Sequence, residues 1–337
     1  MRLYQVMSTI ISAVTLNNQW ITAGIAVAVF FAVGCFIALF LAPWVIFYQT
    51  NYRNPKKERT RDCTNKKDEQ QMRMFNEGVE WIGRFKEKTE ELSIVSGDGL
   101  TLYGEYVNFG YDKCAVILHG RTESLLYSYY FADVYYKNGY NILVFDFRAH
   151  GLSDGKYQTC GIKESDDCVL WIKLINEKYG INDFTIHGTC IGGAAAVYTY
   201  VKLKSAGSGL VKRIVTDGLY QSYYEIYKGY FRMYKWPSFP VLLFASLCFF
   251  LIYAFTGVRL FKDTPLKCMK DMDIPILFIW SKQDLFCTKQ KGEELFNACT
   301  SKYKELRFFK KGRHSHVRSS QKTEYDEVIA QFLQKHT

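Results

Sequence analysis

The chain has 337 residues, 48% of them hydrophobic and 23% charged, and its formal net charge at pH 7 is +10. This length suffices for one large domain with a well-filled core and an additional segment, and the composition is that of a globular protein. Composition alone therefore excludes few classes of globular protein. Much of the positive charge lies in one cluster after an apolar run, which favours anionic lipid headgroups over nucleic acid as a partner.

The apolar run extends from Trp20 to Tyr48 and contains no charged residue. A bilayer core needs about 20 apolar residues in a helix, so the run predicts one transmembrane helix at 20–48 after a short segment 1–19. A cleaved signal peptide is the alternative, but its apolar region is usually about 7 to 15 residues long. A lipoprotein signal ending at Cys35 is a second alternative, although the apolar stretch continues well past it.

The basic cluster after this run consists of Arg53, Lys56, Lys57, Arg59, Arg61, Lys66 and Lys67. Because Lys and Arg resist translocation, the body of the protein is predicted to be cytoplasmic. The cluster is expected to contact membrane lipid, and a solvated linker is the alternative. The ten cysteines show no CxxC pair and no zinc-like spacing, which indicates reduced thiols and no metal site.

Residues 49–91 are predicted to form a basic linker followed by an amphipathic helix. The helix begins near Asp68, where apolar residues recur at helical spacing, and it is expected to pack on the domain or on the membrane surface; these residues are Phe75, Val79, Ile82 and Phe85. Two alternating runs then surround Gly97-Asp98-Gly99 between Leu92 and Val107, which predicts a β-hairpin.

The domain 92–337 is predicted to have an α/β fold. Short apolar runs recur between helical patterns at Cys114–Leu118, Ile142–Phe145, Phe184–Ile186, Arg213–Thr216, Pro275–Trp280 and Leu306–Phe309. Strands that alternate with helices predict a mostly parallel sheet covered on both faces, with reactive groups at the carboxyl ends of its strands. A segment at about 220–262 interrupts this pattern with the apolar run Val241–Phe255. We interpret it as a helical cap, with a second transmembrane helix as the alternative.

The candidate nucleophile is Cys190. It lies in Gly188-Thr189-Cys190-Ile191-Gly192, directly after a predicted strand and before a helix-prone segment. Gly188 and Gly192 allow the chain to turn sharply, so that the middle side chain projects from a nucleophile elbow. The amino terminus of a helix also favours a thiolate. The alternative is a Gly/Ala-rich turn with an inert buried cysteine.

A thiolate nucleophile needs an imidazole and an acid that orients it. The candidates for the imidazole are His314 and His316, in the loop after the last strand, and the candidate acid is Asp284, after the preceding strand. The chain order Cys, Asp, His fits a hydrolase triad. The expected oxyanion donors are the backbone amides of Ile191 and Arg121, and no cofactor is implied because no phosphate-binding loop or ligand cluster is present in the sequence.

These motifs resemble the bacterial α/β-hydrolases with one amino-terminal transmembrane helix, of the serine aminopeptidase S33 type. The resemblance covers Val95 to Phe332 and rests on His119-Gly120, Phe145–Gly155, the elbow, Asp217, Pro275–Ile279 leading to Asp284, and Lys304-Glu305-Leu306 before His314. It implies an α/β-hydrolase fold with a central sheet, flanking helices and a cap. It also places the catalytic histidine on His314, while His316-Val317-Arg318-Ser319 leaves His316 as an alternative.

Three departures from the family pattern are present. Cys190 replaces serine at the elbow, Ala149 replaces a glycine, and Trp280-Ser281 replaces His-Gly before the triad acid. The predicted Cys-His-Asp triad resembles those of dienelactone hydrolases and of bile-acid acyl-CoA amino-acid acyltransferases. The predicted function is therefore a membrane-anchored ester or thioester hydrolase with a small-molecule acyl substrate and an acyl-enzyme intermediate. An acyltransferase using the same acyl-cysteine, or an inactive scaffold protein with this fold, is the alternative.

Overall fold

The computed structural model describes residues 2–37, 41–53, 61–235, 237–238 and 241–337. One sheet of eight strands forms the centre of the molecule, in the order β1-β2-β4-β3-β5-β6-β7-β8. The strands are β1 (Thr89–Val95), β2 (Thr101–Val107), β3 (Lys113–Leu118), β4 (Tyr140–Phe145), β5 (Asp183–Thr189), β6 (Val211–Asp217), β7 (Ile276–Ser281) and β8 (Lys304–Phe309). Strands β3 to β8 run parallel, whereas β1 and β2 form the predicted hairpin and pair antiparallel with their neighbours.

The α-helices in the described residues are α1 (Arg2–Phe36), α2 (Ala42–Asn51), α3 (Glu69–Gly83), α4 (Leu125–Ser128), α5 (Ala132–Lys137), α6 (Ile162–Tyr179), α7 (Ile191–Ser205), α8 (Tyr223–Met233), α9 (Val241–Thr256), α10 (Pro265–Cys268), α11 (Lys289–Ala298), α12 (Val317–Ser320) and α13 (Lys322–Lys335). Side chains of α6, α7 and α11 pack on one face of the sheet, and those of α3, α4, α5 and α13 pack on the other.

The core consists of two apolar clusters, one on each face of the sheet. Consecutive residues of a strand point to opposite faces, so Val116 lies in one cluster and Ile117 in the other. Both are fully buried. A parallel sheet covered on both faces produces continuous apolar strands of this kind, which is why the short apolar runs predicted the strands correctly.

The predicted transmembrane run contains the end of α1 and most of α2. Helix α1 ends at Phe36, and among the described residues its segment Asn18–Phe36 is the one stretch long and apolar enough to cross a membrane. Residues 42–48 of the run lie in α2, which packs against α9 and buries Phe47. The predicted end at residue 48 lies inside α2.

The predicted linker is bound to the domain at two of its basic residues. Arg53 donates hydrogen bonds to the carbonyl oxygens of Ser153 and Gly151, and Arg61 forms ion pairs with Glu105 and Asp146. These two cations therefore face protein oxygens, whereas Lys66 and Lys67 are exposed. The remaining members of the basic cluster, Lys56, Lys57 and Arg59, lie outside the described residues.

Helix α3 packs on the domain. The Asp68 side chain caps its amino terminus by accepting from the amides of Gln70 and Gln71. The buried positions are Met74, Gly78 and Trp81, whereas Val79 of the predicted apolar stripe is 40% exposed. The other predicted positions, Phe75, Ile82 and Phe85, are partly buried against the same cluster.

Helices α8 and α9 form the interruption predicted at 220–262. Helix α9 buries Ala245, Cys248 and Ile252, while Leu243 and Phe250 on its other side are exposed. It contacts α8 and α2, so it is a packed helix with one apolar face left exposed. The turn between α8 and α9 is described only in part, since Trp236, Phe239 and Pro240 lie outside the described residues.

Candidate active site

A sharp turn between β5 and α7 presents Cys190. Its backbone has a φ of 53°, in the left-handed region that residues other than glycine rarely adopt. Strand β5 ends at Thr189 and α7 begins at Ile191. A Cβ atom added to Gly188 would lie 2.1 Å from the carbonyl oxygen of Gly192, and one added to Gly192 would lie 2.4 Å from that of Leu118. Both glycines are therefore required by close backbone approach, as the elbow motif predicts.

The loop after β8 brings His314 to the same place. His314 Nδ1 lies 2.7 Å from Oδ2 of Asp284, which follows β7. The other Asp284 oxygen accepts from the backbone amides of Phe286 and Cys287, both at 2.8 Å. These bonds fix the carboxylate, and the carboxylate in turn fixes the imidazole, as in the predicted triad.

His314 lines the same cavity as Cys190. Its second ring nitrogen, Nε2, is buried and has no hydrogen-bond partner in the described part of the chain. Burial by itself would lower the pKa of His314, but the Asp284 carboxylate and the Cys190 thiolate outweigh it and raise this pKa well above its usual value. The arrangement therefore favours a protonated imidazole at His314.

The other histidines near the site have different partners. His316 Nδ1 lies 2.6 Å from the carbonyl oxygen of His314, and its Nε2 lies 3.1 Å from the Gln71 amide nitrogen. Burial lowers the pKa of His316, and it lowers the pKa of His187 to about 3. Asp284 bonds His314 and not His316, so the geometry favours His314 as the base.

The loop after β3 contains Arg121, the second expected oxyanion residue. Arg121 and Ile191 line the same cavity as Cys190. The Arg121 carbonyl oxygen lies 2.6 Å from Nε2 of His150, and the Gly120 amide donates to Glu123 Oε2 at 2.7 Å. These contacts hold the loop from both sides, which keeps its peptide groups in place near the nucleophile.

A family profile described as alpha/beta hydrolase fold matches residues 116–267. The chain has the α/β-hydrolase fold. The Bacillus subtilis protein YqkD is 27% identical over 220 residues, which is 65% of this chain and 70% of YqkD.

Solved structures share the same fold at low sequence identity. An esterase from Pyrococcus furiosus, Pf2001, is 22% identical with a TM-score of 0.59, over 74% of this chain and 91% of the esterase. An acylaminoacyl peptidase from Pyrococcus horikoshii is 16% identical with a TM-score of 0.55, over 74% of this chain and 41% of the peptidase. An esterase from Exiguobacterium antarcticum is 16% identical with a TM-score of 0.51, over 72% of this chain and 98% of the esterase.

Several residues of this α/β-hydrolase-fold site were not predicted. Gln71 of α3, Glu123, Tyr230 of α8 and Phe286 line the cavity with Cys190. Burial raises the pKa of Glu123, although the Gly120 amide opposes this. No local motif marks these residues, because they come from four separate segments that only the tertiary structure brings together.

Cys287 is a second thiol close to the triad. The ligand atoms of Asp284, Cys287 and His314 lie within 4.8 Å of one another. The Cys287 sulfur lies 3.2 Å from the Gly218 carbonyl oxygen, and burial raises the pKa of this thiol to about 12. Asp284 and His314 already bond each other, and Cys287 is a buried thiol beside them.

Proposed function

We propose that the protein is a hydrolase that cleaves an ester or thioester through a covalent intermediate on Cys190. His314 acts as general acid and base, and Asp284 orients it. The observation that carries this proposal is the 2.7 Å contact between Asp284 and His314, which lines the same cavity as the elbow cysteine. The esterases among the structural relatives support a hydrolase, and an ester hydrolase in particular.

In the first step the Cys190 thiolate attacks the substrate carbonyl carbon and forms a carbon–sulfur bond. The negative charge that develops on the carbonyl oxygen is stabilised by the backbone amides of Ile191 and Arg121. His314 then donates its Nε2 proton to the leaving alkoxide or thiolate as the carbon–oxygen or carbon–sulfur bond breaks. The products of this step are an alcohol or thiol and an acyl-Cys190 thioester.

In the second step water attacks the acyl-Cys190 carbonyl carbon. His314, now neutral, takes a proton from the water through Nε2, and the Cys190 thiolate leaves as the acid is released. The thiolate and the imidazolium are thereby restored. A scaffold protein with an inactive site is the competing hypothesis, and it predicts no turnover with any acyl donor.

Iodoacetamide inactivation tests the proposal with a panel of acyl esters and acyl thioesters. Cys190→Ala should lower turnover by about 10³-fold or more, and alkylation should abolish it in the parent protein. Cys268→Ala is the matched control, because Cys268 is also half-buried but lies outside the site, and its pKa is raised by burial to about 12. The scaffold hypothesis would be supported by absent turnover together with Cys190 alkylation no faster than that of Cys268.

The proposal includes a membrane anchor. The apolar segment Asn18–Phe36 of α1 has every described side chain exposed, and its length suits a bilayer or a signal sequence. The basic residues after it support a cytoplasmic domain, and the exposed Lys66 and Lys67 support contact with anionic lipids. Alkaline extraction of membranes should leave the full chain in the pellet, and amino-terminal sequencing should find α1 retained. Release of a shorter chain would instead identify a cleaved signal sequence.

A further inference from the structure

Two cavities of unequal size share wall residues near the elbow cysteine's loop partners. The one lined by Cys190 and His314 has a volume of about 150 Å³. A second cavity of about 600 Å³ lies between α2 and α8. Pockets for small-molecule ligands occupy about 300–1,000 Å³, so the first cavity suits only the reacting group of a substrate and the second suits the rest of it.

The two cavities share part of their walls. Arg121 and Tyr230 line both of them, and an Arg121 Nη2 group donates to the Tyr230 hydroxyl at 2.9 Å. This polar pair therefore lies at the junction between the reacting centre and the larger cavity. A substrate with its carbonyl at Cys190 would pass this pair to reach the larger space.

The larger cavity is apolar over most of its surface. Its walls come from the α2 side chains Ala42, Val45 and Ile46 and from the cap side chains Tyr227, Phe231 and Phe244. Aliphatic and aromatic walls favour an unbranched hydrocarbon chain, since each buried methylene favours binding by about fourfold. Gln49, Thr50 and Arg121 are the polar part of the lining, and most of a bound chain would contact apolar side chains.

The position of this cavity also favours a hydrocarbon from a bilayer. Ile37 and Leu41, which lie between α1 and α2 in the sequence, line its wall. The neighbouring outer side of α9 is apolar and exposed at Leu242, Leu243 and Phe250. The end of the proposed membrane helix, an exposed apolar face and the cavity are therefore next to one another.

We propose that the cavity between α2 and the cap binds the acyl chain of the substrate, so that the enzyme acts on long-chain acyl esters or thioesters. This inference rests on the proposed function of Cys190 and adds the substrate class. According to this proposal, α2 forms a wall of the substrate site and also joins the domain to α1. The carbonyl carbon lies at Cys190 while the chain extends past Arg121 and Tyr230.

Val45→Trp tests the chain-binding role by filling the cavity. Val45 lines the cavity but is 47% exposed, so a larger side chain can be accommodated without disturbing the core. The parent protein in nanodiscs should have a higher kcat/KM for palmitoyl than for butyryl thioesters. Val45→Trp should lower this palmitoyl-to-butyryl ratio at least about tenfold, because the indole takes the place of several methylenes. Leu243→Trp, on the exposed side of α9, should leave the ratio unchanged.

Photocrosslinking gives a measure that does not depend on turnover. Palmitic acid with a terminal diazirine should label α2 and α8 in the Cys190→Ala protein, and Val45→Trp should reduce this labelling. Adducts confined to α1 and the outer side of α9 would overturn the inference, as would an unchanged palmitoyl-to-butyryl ratio in Val45→Trp. Failure of the proposed function is a different result, namely no turnover of either donor by the parent protein.

Discussion

The edge of the sheet and the cover above it, which consists of α2, α8 and α9, contribute to the site in different ways. At the sheet edge, backbone contacts and short hydrogen bonds fix Cys190, Asp284 and His314, and the space around the elbow glycines is too small for a methyl group. In the cover, α2, α8 and α9 enclose space with apolar side chains, and their contacts are mostly non-directional. Directional contacts position reacting atoms, whereas apolar walls select the size and shape of what is bound.

This difference predicts two classes of variant. Changes at the sheet edge should lower turnover of every acyl donor by similar factors, because they act on the reacting atoms. Changes in the cover should alter the relative turnover of long and short donors. A variant in the cover that lowered the turnover of long and short donors equally would contradict this distinction between the two regions.

The largest effect is expected for His314→Ala. Loss of the general base and acid should lower kcat/KM by about 10³-fold or more for all donors. His316→Ala is the matched control two residues away, and its activity should stay within about threefold of the parent, since its ring bonds Gln71 and a backbone carbonyl. Steady-state kinetics of both variants tests this prediction. A larger loss of kcat/KM in His316→Ala than in His314→Ala would assign the base to His316.

Gly218→Ala should have the next largest effect. Gly218 has a φ of +69°, and an added Cβ atom would lie 3.0 Å from Cε1 of His314. The methyl group should displace the imidazole, and a misplacement of about 1 Å can cost about 10²-fold in rate. Gly207→Ala, at a φ of +73° with open space around it, is the control for backbone strain alone. Equal kinetics for the two variants would contradict the steric explanation.

The pH dependence of kcat/KM should change in Asp284→Asn. Because the Asp284 carboxylate raises the pKa of His314, the imidazolium persists above its usual pH range in the parent protein. Activity should therefore fall on the alkaline side as the imidazolium is lost, and in Asp284→Asn this fall should begin at lower pH. An unshifted alkaline limb would show that a group other than His314 controls it.

Tyr230→Phe should have the smallest effect and should act on the cover. The change removes the hydrogen bond from Arg121 at the junction of the two cavities but keeps the aromatic ring. We expect a change of about two- to fivefold in the palmitoyl-to-butyryl ratio, in line with a single hydrogen bond at a partly exposed site. Tyr224→Phe, elsewhere on α8, is the matched control. An equal change of the ratio in this variant would show that the hydrogen bond between Arg121 and Tyr230 is not the cause.

The sequence predicted the sheet edge much better than the cover. The elbow and the loops after β7 and β8 are local motifs, and a parallel sheet brings the ends of its strands to one edge, so Cys190, Asp284 and His314 could be placed together. The choice between His314 and His316 depends on which ring reaches Asp284, a tertiary contact that spacing does not contain. The packing of α2 on α9 was not predicted, because its apolar side chains suit a bilayer and a protein core equally well.

The packing of α2 has a kinetic consequence if α1 spans a bilayer. Only residues 37–41 separate α1 from α2, and covalent geometry limits the span from Phe36 to Ala42 to about 20 Å. The domain would then stay within that distance of the lipid surface and would meet its substrates by lateral diffusion. Its rate would follow the mole fraction of substrate in the membrane, and diluting that substrate with inert lipid would slow turnover at constant bulk concentration.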